Sequence, residues 1–469
     1  DPPPPAEAAR AIVQGWMQSI GPVTAAALSE RIGLSESDVD AAVASLEGLG
    51  AILRGRFTPG VEEVEWCDRA LLSRIHRMTV EWLRSEIEPV AAADFMRFLF
   101  QWQHLTPGSQ LHGREGLAEV IGQLQGLELP APAWEERIFR SRLGRYDPAE
   151  LEYLCLAGVV AWGRLRADLR QEDPDKNGNG NGARRRSVPA RNTPIGFVLR
   201  EDLSAFVSGE PIDLTKTNLS ATAREVVDYL TARGASFLNE IVKGTGRMPA
   251  EVEDALWELV SRGLVSGDGI AGLRSLLSKA KDARAVRRHT RLRALPGARA
   301  PLSRARTLPL GRWALWGTDQ EPMTKEEVSE AIAGQLLRRY GVVMRELLTR
   351  ERGAPAWRDL LSIYRRWEAQ GEIRGGRFVS GFIGEQYALP EAVEGLRSIR
   401  RKPVDDEELI IPAADPLNLV GVLLPGNRIS PFSALAIAFR GGSPVDIAPI
   451  GTLRTRLANA KASSAASGS

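Results

Sequence analysis

Apolar residues recur along this chain at helical spacing in short bursts, and each third burst is followed by paired extended runs. Residues 8–19 place Ile12, Val13, Trp16 and Met17 on one side of a helix. Thr24 caps a second helix over 25–32, which Gly33 ends, and Ser35 caps a third through Leu49. Two extended runs, 51–57 and 61–66, then meet at Thr58, Pro59 and Gly60, the signature of a β-hairpin. Three helices and a hairpin in that order form a winged helix. The same pattern returns three times, at irregular spacing and without repetition of sequence, which excludes a solenoid.

These patterns predict a mainly α protein with β-wings, an α+β chain of tandem winged helices ending in a small β-barrel-like domain. The expected divisions are a winged helix over 1–68 and a helical connector over 69–90. The connector's stripe is Leu71, Leu72, Ile75, Met78 and Leu83. A second winged helix covers 91–203, its strands 159–166 and 195–199 flanking an insert at 171–193. A third covers 220–278, with 264–273 as its wing. A basic linker occupies 279–323, a fourth winged helix 324–401 and the barrel-like part 404–455. The insert, with its Asn-Gly repeat from Asn177 to Gly182, is polar and poor in large apolar residues, so disorder is expected there and in the tail, 456–469.

Length and charge narrow the picture. At 469 residues the chain exceeds one ordinary core. Its formal charge is only +2, so the placement of basic residues matters more than their sum. Two cysteines, Cys67 and Cys155, make neither a disulfide framework nor a zinc site, and a reducing cytoplasmic setting fits. His76, His104, His112 and His289 form no ligand cluster, so no metal is expected. No apolar run is long enough for a membrane span. No Gly-x-x-x-x-Gly-Lys-Ser/Thr loop occurs, which excludes P-loop ATP hydrolysis by this stretch. The chain opens on Asp1 and four prolines, which reads as a linker within a longer protein.

Candidate chemistry lies on the wings and third helices. Arg54 and Arg56 fall on the first wing, Arg374 and Arg377 on the fourth, in or beside turns from which guanidinium groups reach phosphates. The alternative is a wing that packs protein against protein. The third helix of the first unit is acidic at its start, which suits capping and repels phosphate. Arg358, Arg365 and Arg366 in the fourth unit suit a DNA groove better. Residues 279–312 are dense in Arg and Lys. Arg287, Arg288, Arg291 and Arg293, with Arg304 and Arg306, would release counterions on a phosphate backbone, unless the segment is a solvated linker.

Longer stretches carry a family likeness. Arg69 to Arg77, Asp94 to His104, Gly122 to Gly126, Gly376 to Pro390 and Ala414 to Asn418 resemble the bacterial Lhr, or large helicase-related, proteins. That resemblance implies a separate ATP- and Mg-dependent motor translocating 3′ to 5′ on DNA, with no cofactor in the present stretch. It implies single-stranded or damaged DNA, RNA:DNA hybrids, the parent's own motor and further copies of the chain as partners. The plan is also similar to winged-helix DNA glycosylases, whose Gln-apolar-Gln motif positions a water. Gln123-Leu124-Gln125 and Gln101-Trp102-Gln103 both match it, the first being preferred. For uracil excision a carboxylate base would be needed, for which Asp415 is the candidate, or else it caps the turn at Pro416. Two classes therefore stand open, a nucleic-acid-binding or assembly module and a glycosylase appended to a helicase.

Overall fold

The computed structural model describes residues 3–85, 88–166, 193–207, 219–274, 277, 311–316, 323–404 and 407–467. It divides into two compact units, 1–88 with 375–377, and 89–374 with 378–469. The insert at 171–193, Thr193 apart, lies outside the described residues, as do Arg287, Arg288, Arg291 and Arg293 of the basic segment.

The smaller unit holds the first winged helix. Its helices are α1 (Pro5–Met17), α2 (Ala25–Ile32) and α3 (Glu36–Gly48). Strands β1 (Val23–Thr24), β2 (Ile52–Gly55) and β3 (Glu65–Asp68) form a sheet in the order β1-β3-β2. Thr24 and Ser35 accept the expected N-cap bonds from Ala27 N and Asp38 N. The core face of α1 differs from the expected one. Ala9, Val13 and Met17 are buried, while Ile12 and Trp16 are exposed, because the i, i+4, i+8 row meets α3. Helix α4 (Arg69–Ser85) follows, with Asp68 accepting from the N–H groups of Ala70 and Leu71.

The larger unit begins with α5 (Ala92–Trp102). The second winged helix comprises α6 (Gly113–Leu124), β4 (Leu129–Pro130), and a helical run of α7 (Ala131–Ala133), a π turn (Trp134–Ile138) and α8 (Phe139–Arg142). It continues with α9 (Pro148–Leu156), β5 (Val160–Gly163) and β6 (Pro194–Leu199), and α10 (Leu203–Phe206) follows. Strand β6 lies between β4 and β5. The third comprises α11 (Ala221–Arg233), β7 (Ser236–Phe237), α12 (Leu238–Thr245), α13 (Pro249–Arg262), β8 (Val265–Gly267) and β9 (Arg312–Leu315). Here the expected boundary is corrected. Strand β9 falls in the stretch assigned to the linker, yet Val265 pairs with Leu315 and Gly267 with Trp313. The basic segment therefore lies between the two strands of the third wing, and the stretch taken as that wing turns helical at Ala271–Arg274.

The second and third winged helices share one apolar core, from Leu117 and Trp134 through Trp162 to Trp257 and Trp313. Trp162 and Trp313 meet edge to face at 6.3 Å. The fourth comprises α14 (Lys325–Tyr340), β10 (Val342–Val343), a 3₁₀ turn (Arg345–Thr349), α15 (Trp357–Gln370), β11 (Arg374–Gly376), β12 (Gln386–Ala388) and α16 (Pro390–Arg401). Thr324 and Glu327 close a capping box at the head of α14.

The barrel-like expectation for 404–455 is corrected to an open three-stranded antiparallel sheet. Its strands are β13 (Glu408–Pro412), β14 (Leu435–Arg440) and β15 (Ser443–Pro449), with β14 central. Three short strands cannot close on themselves. A two-residue turn at Gly441 and Gly442, both at positive φ, joins β14 to β15. A Cβ on Gly442 would stand 1.9 Å from the Ala93 carbonyl oxygen, so only glycine fits.

The expected tail is instead helix α17 (Ile450–Ser467), which covers the sheet, with Leu453 buried against Ala436 and Ala438. Arg456 donates to Glu408 at 2.7 Å and pairs with Asp446, and Arg440 donates to the other Glu408 oxygen at 2.7 Å. Burial would raise the Glu408 carboxyl, but these two arginines outweigh it and hold it below the ordinary value. Its stabilising effect is thus complete above the unfolded carboxylate range and is lost as pH falls through the depressed folded value. Hydrogen exchange in β13 and α17 is expected to quicken over that acid window in the wild type. The Glu408→Gln variant should show no such step there.

Candidate nucleic-acid interface and the buried glutamine network

The third helix of a winged helix is the element that enters a DNA groove, and its outward face decides whether it can. In the first unit α3 exposes Glu36, Asp38 and Asp40, a face that repels phosphate. In the second, α9 exposes Tyr153 and Leu156, with Arg114 lying over the Tyr153 ring at 4.1 Å. In the third, α13 buries half of its residues and presents Glu251 and Asp254.

Helix α15 of the fourth is different. Leu360, Ile363 and Tyr364 turn inward, where Tyr364 stacks on Tyr387 at 5.2 Å and donates to the Ala333 carbonyl at 3.1 Å. The opposite rows carry Arg358, Arg365 and Arg366, with side chains 88, 59 and 51% exposed. Each touches a carboxylate, Asp359, Glu385 and Glu330 respectively. Exposed pairs of this kind are worth about 0–1 kcal/mol, so a phosphate can displace the carboxylate at little cost. Arg374 and Arg377 are also exposed.

In the smaller unit Arg54 and Arg56 point to solvent. The turn beyond them is tied by buried Glu65, which accepts from Phe57 N, Thr58 N and the Thr58 hydroxyl, each at 2.7 Å. Burial pushes that carboxyl up, and the Thr58 and Phe57 bonds more than reverse it.

The residues proposed for base excision lie in the interior. Gln123 and Gln125 are buried, near the end of α6. Gln123 Nε2 donates to the Trp102 carbonyl at 2.9 Å. Gln125 accepts from Leu199 N at 3.0 Å and donates to Asp202 at 2.7 Å and to Gln335 at 3.1 Å. Gln335, on α14, returns bonds to the carbonyls of Gly122 and Gln123. Arg339, one turn further, donates to the Gln125 carbonyl and pairs with Glu351 at 2.5 Å. Glu351 also accepts from Tyr340 at 2.7 Å. The second match splits, Gln101 being exposed and Gln103 fully buried.

Asp415 is wholly buried. Arg142 grips both of its oxygens, at 2.8 and 3.0 Å, and donates to Gln103 Oε1 at 3.0 Å. Gln103 in turn donates to the Arg339 carbonyl at 2.9 Å. Leu417 N donates to Asp415 Oδ1 at 2.9 Å, the turn-capping bond expected beside Pro416.

This network joins the second winged helix, the fourth and the segment after β13 through groups that burial would otherwise penalise. Gln125→Ala leaves Leu199 N–H and Asp202 short of partners. A loss of roughly 1–3 kcal/mol is expected, read as a lower urea midpoint at unchanged slope. Gln335, Arg339 and Glu351 were not singled out by sequence reasoning. Arg338-Arg339 reads as one basic pair, yet Arg338 meets Glu119 at the surface and Arg339 is 1% exposed.

Comparison with known proteins adds a family context. Residues 90–176 and 322–408 match profiles for the third and fourth winged-helix domains of large helicase-related proteins. A Mycolicibacterium smegmatis protein named Lhr helicase/probable uracil glycosylase is 28% identical over 426 residues, covering 88% of this chain. An Escherichia coli K12 protein named Lhr helicase/uracil glycosylase is 26% identical over 431 residues, covering 86%. The aligned region spans 26% of the length of each. Among solved structures, the DNA glycosylase AlkZ of Streptomyces sahachiroi aligns at 12% identity and a TM-score of 0.40, over 76% of this chain and 87% of that one.

Proposed function

The chain belongs to the C-terminal, winged-helix region of the large helicase-related family, and from that premise we propose that it is the DNA-binding part of a repair helicase. The ATP-driven motor would be carried elsewhere in such a protein. The observation that carries this reading is the contrast among the third helices. Of the four, α15 alone pairs a packed inner row with three exposed arginines. Affinity on this reading is largely electrostatic and tolerant of sequence. The test is a titration of the purified chain against labelled duplex and single-stranded DNA over a range of salt. Binding should weaken linearly in log–log form as salt rises. Absence of binding at low salt would end the proposal.

A second reading is kept open by the names of the two relatives, both of which include uracil glycosylase. Base excision needs a pocket in which a flipped base meets a water-positioning group. Gln125 and Asp415 are engaged in internal bonds in the fold described above, whereas Gln123 donates to the Trp102 carbonyl and keeps a buried Oε1 with no partner among the described residues. Incubation with uracil-containing DNA distinguishes the cases. Abasic product that persists in the Gln123→Ala variant would support excision and remove that residue from its chemistry.

A further inference from the structure

We propose that the C-terminal turn of α16 is a second phosphate-binding site for the DNA that α15 engages. The proposal rests on the DNA-binding reading and extends it to residues outside the third helix and wing. Helix α16 packs on α5 through Ala392, Leu396 and Ile399, the i, i+4, i+7 row, while Gly395 leaves only van der Waals room for Phe98. That docking turns the remaining rows outward. Glu394, Arg397, Ser398 and Arg401 stand at i, i+3, i+4 and i+7, and with Lys402 and Pro403 they line a groove of about 510 Å³. Arg397, Ser398, Arg401 and Lys402 are all exposed.

The groove wall is held by the backbone beneath it. Arg97 of α5 donates to the Pro403 carbonyl at 2.8 Å and to that of Lys402 at 3.4 Å, while pairing with Asp94 at 3.0 Å. The chain leaving α16 is therefore fixed just where Lys402 projects.

Basic residues near a helix end can simply complement the helix dipole, an effect confined to the last turn. Arg397 sits a full turn earlier, beside Glu394 at i+3, and shares a row with Arg401 rather than with the terminal carbonyls. Two guanidinium forks, a hydroxyl and an ammonium around one groove match the oxygens of a phosphodiester. A polyanionic backbone is the occupant that this chemistry recognises.

The test uses the full chain with Arg397→Ala, Arg401→Ala and Lys402→Ala combined, leaving every α15 arginine in place. These side chains are exposed, and an unchanged thermal melt will show that the fold is kept. Affinity for duplex DNA should fall roughly 10–100-fold near 0.1 M salt, and the log–log salt slope should become shallower by about 2–3. Glu394→Gln, which removes the carboxylate that lines the groove among the described residues, should tighten binding. Wild-type binding with an unaltered slope in the triple variant would overturn this site while leaving the α15 reading intact. If the wild type itself binds no DNA, both readings fall together.

Discussion

The Arg142→Met variant is expected to unfold about 3–5 kcal/mol more easily than the wild type, the cost of stranding one half of a buried ion pair. Arg142 and Asp415 are both fully buried, and the guanidinium fork meets the carboxylate with two parallel bonds. Removing the arginine leaves the buried Asp415 carboxyl with, among the described residues, Leu417 N as its hydrogen-bond donor, while Arg350 reaches its backbone carbonyl at 3.5 Å. It also frees Gln103 Oε1, so the contact between α5 and α14 loosens with it. The double variant Arg142→Met/Asp415→Leu should recover most of the loss, since neither charge then remains to be desolvated. Urea denaturation followed by intrinsic tryptophan fluorescence reads both. A single-variant loss below about 1 kcal/mol, the scale of an exposed pair, would show that the pair is solvated in solution. The outcome bears on function too. A carboxylate whose removal acts mainly on stability is a structural anchor, whereas a catalytic base can be removed with little effect on folding.

Combining Arg358→Ala, Arg365→Ala and Arg366→Ala should weaken DNA binding roughly 10–100-fold near 0.1 M salt, with a salt slope shallower by about 2–3. Stability should hardly change, because the three ion pairs lost are exposed and worth little each. The loss should fall on all sequences alike if the arginines meet phosphates, and on particular base pairs if they reach into the groove. Fluorescence anisotropy on duplexes of differing sequence separates these outcomes. Affinity within twofold of the wild type would remove α15 from the interface and with it the observation on which the proposed function stands.

Much of the architecture was readable locally. Helix starts followed from Thr24 and Ser35, whose side chains do accept the first N–H groups. The wing of the first unit followed from Thr58, Pro59 and Gly60 between two extended runs. The readings that failed share a cause. The strand partner of β8 lies across more than forty residues of intervening sequence, and turn signals say nothing about so distant a pairing. The apolar runs after Leu409 alternate as a barrel strand would, but closure depends on strand number and tilt, which alternation leaves open. The final helix is rich in alanine and serine, a composition that fits a tail as well as a helix until Leu453 and Arg456 find the sheet.

The candidate residues divide along the same line. Side-chain type was enough to single out Arg358, Arg365 and Arg366 on one helix, and all three side chains are exposed in the structure. Whether a polar side chain ends in solvent or in the core depends on what the rest of the chain brings against it. Gln123, Gln125 and Asp415 look in sequence like groups available for chemistry. Tertiary packing decided their surroundings: the Trp102 carbonyl meets the Gln123 amide, Leu199, Asp202 and Gln335 meet Gln125, and Arg142 meets Asp415, each partner coming from a distant part of the larger unit's sequence.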